Sequence, residues 1–264
     1  GVKQTSDGGF IVAGCVDDQV WLAKLDMYGE EEWQNTYNLS NYWGSNSIIQ
    51  TSDDGYLYAG WQGIMKVDSS GLFQWKKTSS GVAGVYPYYE DLIEHSNGNY
   101  YAIGGPVADK AIMAKFSPNG SLLKRKYYGG DCDDDKFRSI IETNDSMIVM
   151  VGGKTHGNSQ YPCSFEWYND LWIVKANKNG RAIWQREYGG NYYEEAHDVV
   201  QNSDGGFTII GEKCAATPSN CNSSTKVFLV TVDESGQNNQ NQTFQNGGLT
   251  VGVSIVNTAS GGIA

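Results

Sequence analysis

A phrase of eleven residues, QTSDGGFIVAG at 4–14, is written repeatedly along this chain. Near-copies stand at 50–60 (QTSDDGYLYAG), 95–105 (HSNGNYYAIGG), 142–153 (ETNDSMIVMVGG) and 201–211 (QNSDGGFTIIG), and a worn sixth, NTASGGIA, at 257–264. Starts at 4, 50, 95, 142, 201 and 257 lie 46, 45, 47, 59 and 56 residues apart. Self-similarity at a fixed period marks a fold that stacks one supersecondary unit. A spacing in the forties is that of four-stranded propeller blades.

Other features keep register with the phrase. A second apolar run follows each copy: VWLAKLD at 20–26, GIMKVD at 63–68, AIMAKFS at 111–117, LWIVKAN at 171–177 and VFLVTVD at 227–233. Each run ends in a turn closing on Gly (DMYG, DSSG, SPNG, NKNG, DESG), where Gly supplies the positive φ of a tight hairpin. Trp33, Trp75 and Trp184 stand four residues past that Gly, with Lys124 and Gln240 at the equivalent places. One repeat thus reads as strand SIIQT, turn SDDG, strand YLYAG, a connection, strand IMKVD, turn SSG and strand LFQWKKT. No segment carries a helical stripe over twelve or more residues.

The expectation is all-β: a β-propeller of four-stranded blades, with five complete repeats and a partial one. A parallel β-helix needs shorter rungs, and a sandwich does not repeat its sequence. Residues 1–264 read as a single propeller domain. Residue 1 falls inside a repeat and the last copy stops within a blade, so the chain reads as a piece of a longer one. Six blades are slightly favoured over five, because a five-blade ring leaves two copies of one strand pair competing for a single place.

The consensus behind the repeats is GNIQWQKTYGG…D…SIIQTSDGGYIVAG…DVWLVKLDSNG. It resembles the tandem propeller repeats of large secreted and cell-surface proteins of bacteria and archaea, and more distantly kelch repeats. RAIWQREYGGNYYEEAHDVVQNSDGGFTIIG at 181–211 carries the likeness best; it weakens after about residue 237, where QNNQNQTFQNGG replaces the Trp strand. The resemblance implies a propeller in an extracellular setting, and no catalytic motif comes with it.

Charge narrows the partners. Lys+Arg number 19 against 30 Asp+Glu, a net −11 that repels a phosphate backbone, and no basic stripe interleaved with aromatics is present. Nucleic-acid binding is therefore not expected. The longest apolar runs, such as MIVMV at 147–151, are too short to cross a bilayer.

Cys214 and Cys221 bracket CAATPSNC in the fifth repeat, and Cys163 lies in a longer insertion of the fourth, GKTHGNSQYPCSFEWYND. A local Cys214–Cys221 disulfide is expected, and a Cys132–Cys163 bridge stapling two loops; the alternative is a set of reduced thiols. Cys15 is left over, free or paired outside the chain. Five sequons are present, at Asn38, Asn119, Asn144, Asn222 and Asn241, against about 3 expected by chance. They are glycosylation acceptors if the source is a eukaryote.

The acidic run DCDDD offers Asp131, Asp133, Asp134 and Asp135 as oxygen ligands for calcium, or as a solvated acidic loop. No other cofactor is implied. His95 takes a place beside the turn that is Gln in three other repeats, and reads as a structural variant. His197 follows Glu194 and Glu195, an arrangement open to acid–base work. No G-x-S-x-G, P-loop or H-E-x-x-H motif stands beside it. The recurrent Lys24, Lys66, Lys115 and Lys175 read as solvent-facing by strand alternation. The recurrent Trp residues read as packing between blades or as cover on the outer strand.

Recurrence marks architecture, so a functional site should be a break in the repeat; the clearest breaks are 154–170 and 212–226. These features point to a non-catalytic extracellular module for adhesion, protein interaction or surface and filament assembly. Its contact surface would be Tyr161, Phe165, Trp167 and Tyr168, since aromatics dominate interface energetics. The alternative is a carbohydrate-binding or carbohydrate-cleaving propeller, with Glu90, Asp91 and Glu194 as available carboxylates.

Overall fold

The computed structural model describes residues 1–40, 45–61, 63–78, 88–107, 110–130, 134–156, 168–190, 193–214, 225–245, 250–258 and 262–264. They form twenty strands in five four-stranded antiparallel sheets, each a simple meander, and no helix. The first sheet holds β1 (Val2–Gln4), β2 (Phe10–Val16), β3 (Gln19–Leu25) and β4 (Glu31–Ser40). The second holds β5 (Ser45–Gln50), β6 (Tyr56–Gly60), β7 (Gly63–Val67) and β8 (Phe73–Thr78). The third holds β9 (Tyr89–Glu94), β10 (Tyr100–Val107), β11 (Lys110–Phe116) and β12 (Leu122–Tyr128). The fourth holds β13 (Lys136–Glu142), β14 (Ile148–His156), β15 (Tyr168–Ala176) and β16 (Ala182–Tyr188). The fifth holds β17 (Tyr193–Gln201), β18 (Phe207–Cys214), β19 (Thr225–Val232) and β20 (Asn238–Phe244). One sheet per repeat is the β-propeller architecture that the period requires.

The chain divides into two compact units, Gly1–Val107 with Ile112–Lys126, and Ala108–Ala111 with Tyr127–Ala264. Within each, hydrophobic clusters are shared between successive sheets. Ile11, Leu22 and Tyr37 of the first sheet pack with Ile48, Tyr58 and Met65 of the second. Val149 and Ile173 of the fourth pack with Val199, Phe207 and Val230 of the fifth. A middle strand is therefore covered on both faces, which is why Tyr56–Gly60 and Gly63–Val67 are buried throughout instead of alternating. The fourth strand of each sheet is largely exposed, as in Phe73–Thr78.

That outer strand grips the following sheet. Trp33 Nε1 donates to Ser69 O at 3.2 Å and Trp75 Nε1 to Pro118 O at 3.1 Å. Tyr37 Oη donates to Gly71 O at 2.6 Å and Tyr128 Oη to Gly180 O at 2.8 Å, and Tyr188 Oη donates to Gly236 O. The W-x-x-x-Y spacing puts both side chains on one face of the strand, over the outer turn of the next sheet. The expected packing role of the Trp residues is thus met.

The opening phrase is a connector. The Gln and Glu that begin repeats two, three and five accept from the preceding turn: Ser6 N donates to Gln50 Oε1 (2.7 Å), Ser52 N to Glu94 Oε2 (2.6 Å) and Asn144 N to Gln201 Oε1 (2.8 Å). This register moves the start of the third repeat to Glu94. His95 stands where Thr5, Thr51 and Thr143 stand, since all four make the same turn bonds. It is not an equivalent of Gln, although its structural role is as expected: His95 Nδ1 accepts from Asn97 N at 3.0 Å.

The recurrent lysines do not face solvent. Lys24, Lys66 and Lys175 are 3%, 1% and 4% exposed. Each ammonium meets the Asp of its own turn: Lys24–Asp7 at 2.8 Å, Lys66–Asp53 at 2.9 Å and Lys175–Asp145 at 3.0 Å. Lys66 Nζ also donates to Val67 O at 3.2 Å. Burial alone would raise the Asp53 carboxyl, but hydrogen bonds from Thr51 and Lys66 outweigh it and hold it below the ordinary range. Gly55 makes room for the lock, because a Cβ there would lie 2.1 Å from Lys66 Nζ. Where the turn carries Asn97, the equivalent Lys115 lies over the Tyr101 ring at 5.3 Å. The fifth repeat keeps Asp204 but has Thr231 in place of Lys.

The worn last copy is a hairpin. Asn257 bridges Ile263, and Val256 and Ala264 exchange N–H···O bonds of 3.0 and 2.9 Å. Asp198 lies between this hairpin and the fourth sheet, accepting from Ser139 Oγ at 2.7 Å and from Ser254 Oγ at 2.9 Å. Five sheets and this hairpin are what the described residues form.

Asp53→Ala should cost about 2–3 kcal/mol, because it leaves a buried ammonium without its carboxylate. Lys66→Met should cost less, since a partly exposed Asp53 can return to water. The double variant should be no less stable than Lys66→Met alone in urea unfolding; additive costs would show that the pair is not coupled.

Candidate functional site

Each sheet has two ends. One carries the repeated turns just described, where Lys24, Lys66 and Lys175 pair with the carboxylates of their own turns. The other carries the connections from second to third strand and from one sheet to the next, and there the fourth and fifth sheets break the repeat.

On the fourth sheet, β14 ends at Lys154–His156 and β15 returns from Tyr168, with Lys154 opposite Asp170 and Trp172 opposite Glu187 of β16. Alternation therefore places Lys154, His156, Asp170 and Glu187 on one face of three adjacent strands. His156 Nε2 lies 3.0 Å from Glu187 Oε2 and 3.5 Å from Asp170 Oδ2, and Lys154 Nζ lies 2.8 Å from Glu187 Oε1. Burial, with Glu187 nearby, pushes the Asp170 carboxyl up despite the opposing His156.

On the fifth sheet, the neighbours Glu194 and Glu195 point to opposite faces, both with fully buried carboxylates. Glu194 sits opposite Lys213 in the strand pairing, with Nζ 2.7 Å from Oε1. Burial pushes Glu194 up, only partly offset by Lys213. Glu195 turns toward the fourth sheet, where Arg138 Nε donates to Oε1 at 2.7 Å and Lys136 Nζ lies 3.3 Å from Oε2, while Tyr193 Oη of its own strand donates to Oε2. Burial would raise it, but Lys136 and Arg138 outweigh burial and hold it at about 2.

Gly189 joins the two halves: a Cβ there would lie 2.0 Å from Asp170 Oδ1 and 3.0 Å from Glu194 Oε2. Beside it opens a cleft of about 370 Å³, walled by Glu187, Gly189, Lys213, Phe228, Asn241 and Thr243.

The residues singled out in the sequence distribute as follows. Asp135 turns inward and its oxygens accept from Gly130 N (2.6 Å) and Thr155 N (2.8 Å), while Asp134 lies 3.4 Å from Lys136; Asp131 and Asp133 lie outside the described residues. Cys214 is fully buried at the end of β18. Cys132, Cys163 and Cys221 lie outside the described residues, as do Asn222, Tyr161, Phe165 and Trp167. Tyr168 opens β15. Asn38, Asn119, Asn144 and Asn241 are exposed, and the Asn119 amide oxygen accepts from Ser121 N within its turn at 3.2 Å. Asp91 accepts from Ser47 Oγ at 2.8 Å, the same contact that Asp198 makes with Ser139, so it serves the joint between first strands. His197 pairs with Glu212 at 3.6 Å rather than with the adjacent glutamates. The sequence gives no role to His156, Asp170, Glu187 or Lys213; His156, Asp170 and Lys213 lie within the two breaks, whereas Glu187 lies outside them on β16.

No protein-family model and no curated protein matches the chain. Solved structures do resemble it. A protein of unknown function from Bacteroides caccae is 14% identical, with a TM-score of 0.56 over 96% of this chain and 84% of its own. A protein from Lactobacillus plantarum is 12% identical, with a TM-score of 0.57 over 94% and 71%. At such identities the likeness is one of fold alone.

Glu195 contributes stability that is complete above its ordinary value of 4.5 and is lost as pH falls toward about 2. Glu195→Gln should therefore be destabilised at pH 7, with its deficit shrinking as pH drops through that window. Unfolding midpoints that differ by the same amount at pH 7 and pH 2.5 would contradict the assignment.

Proposed function

We propose that the chain is a non-catalytic, extracellular β-propeller module that binds a protein partner, in adhesion or surface assembly. The connection end of the fourth and fifth sheets is its recognition surface. One observation supports the reading: the repeated Lys24, Lys66 and Lys175 serve their own turns, whereas a cluster of His156, Asp170, Glu187, Glu194 and Lys213 gathers at the connection end, where the sequence breaks the repeat at 154–170 and 212–226. Aromatics from the first insertion, Trp167 and Tyr168, would anchor the partner. Disulfides at Cys214–Cys221 and Cys132–Cys163 would fix the insertions, which suits a secreted or cell-surface setting.

A second reading has its own support in the cleft beside Gly189. Glu187, Lys213, Asn241 and Thr243 there offer donors and acceptors suited to a polyhydroxylated ligand, with Phe228 beneath.

Trp167→Ala with Tyr168→Ala should weaken binding to a surface protein partner, or self-association, by about tenfold or more at an unchanged melting temperature. Association untouched by the double substitution would sink the assignment. A glycan array lit by a defined saccharide and silenced by Asn241→Ala would replace it with the carbohydrate reading. Products released from polysaccharides would make the chain an enzyme.

A further inference from the structure

The His156 cluster contains more unmet polarity than an ion-pair network needs. His156 Nε2 and Asp170 Oδ1 are both sealed from solvent and neither has a hydrogen-bond partner among the described residues. Behind them Glu194 is fully buried, with Lys213 Nζ 2.7 Å from Oε1 and the Gly190 backbone N–H also serving its carboxylate. Among the described residues, the carboxylates of Asp170, Glu187 and Glu194 gather around two ammonium groups, Lys154 and Lys213, and one imidazole. Carboxylates brought this close on a half-buried face favour a cation between them.

The donor atoms are already gathered. One atom each from His156, Asp170 and Glu187 lie within 4.8 Å of one another. They come from three adjacent paired strands, so their spacing is set by the sheet register and not by a loop. Lys154 holds Glu187 by Oε1, which fixes the carboxylate while Oε2 faces the imidazole. Such outer partners orient metal ligands in known sites. Gly189 leaves the space into which Asp170 turns.

We propose that His156, Asp170 and Glu187 form a three-ligand site for a divalent transition-metal ion. One imidazole with two carboxylates suits Zn²⁺ or Co²⁺, with a coordination position left for water or a ligand atom. Three such donors are too few for Ca²⁺, which gathers six to eight oxygens. The site is independent of the partner-binding role, because ion uptake is read directly.

The test is calorimetric titration of the chelator-stripped chain with Zn²⁺, alongside the visible absorption of bound Co²⁺. The expected result is one ion per chain, with Ca²⁺ and Mg²⁺ giving no comparable heat. His156→Ala and Glu187→Gln should each weaken Zn²⁺ binding by about 100-fold or more and abolish the Co²⁺ bands. Glu187 is partly exposed, so Glu187→Gln keeps the test decisive should the histidine variant fold poorly. No uptake by the unsubstituted chain, or uptake that survives both substitutions, would overturn the proposal. In either case the cluster would be a His156–carboxylate ion pair only.

Discussion

A four-stranded sheet with two apolar faces cannot hide them by itself, and the contact that joins one sheet to the next is what the rest of this structure depends on. It is made at the outer edge, where Trp33 and Tyr37 close over the turn that ends in Gly71. The same grip recurs at Trp184 and Tyr188 over Gly236. Each grip sets where two faces meet, and the clusters around Tyr58 and Phe207 then fill the space between them. Toward the inner strands the joint is polar, through Ser47 and Asp91 and through Ser139 and Asp198. Apolar contact supplies most of the free energy here, and the hydrogen bonds fix the register.

Much of this was legible in the sequence because it is local and repeated. The period, the Gly-closed turns and the Trp spacing each follow from a rule acting within a few residues. The lysines were misread because alternation says only which face a side chain takes, not what lies there. Asp53 sits thirteen residues before Lys66, across two strands, and turns a charged position into a buried one. His95 was misread by one residue, since Glu94 takes the role that Gln has elsewhere.

The candidate site was legible only as a place. The breaks at 154–170 and 212–226 were visible, but not which groups meet there. His156 and Asp170 come together because β14 and β15 pair across an insertion, and Glu187 joins them from a third strand. Glu194 and Glu195 look alike in sequence, yet one is pushed up and the other held at about 2, because one faces a single lysine and the other two cations. Composition predicts acidity there; only the pairing of β17 decides what each carboxylate meets.

The fold rests on the grip between sheets, and paired glycine substitutions measure that grip directly. Gly29 and Gly71 hold equivalent turn places with φ of 86° and 79°. A Cβ at Gly29 would meet no described atom within 4 Å, while at Gly71 it would lie 2.7 Å from Asn35 Nδ2 and 2.9 Å from the Trp33 ring. In denaturant unfolding, Gly29→Ala should cost about 1–2 kcal/mol for the left-handed backbone alone. Gly71→Ala should cost at least about 1 kcal/mol more for overpacking against the ring and the Asn35 amide, and Trp33→Ala should remove part of that excess, with Asn35→Ala removing the rest. Equal costs at the two glycines would show that the outer turn carries no grip, and would contradict the account.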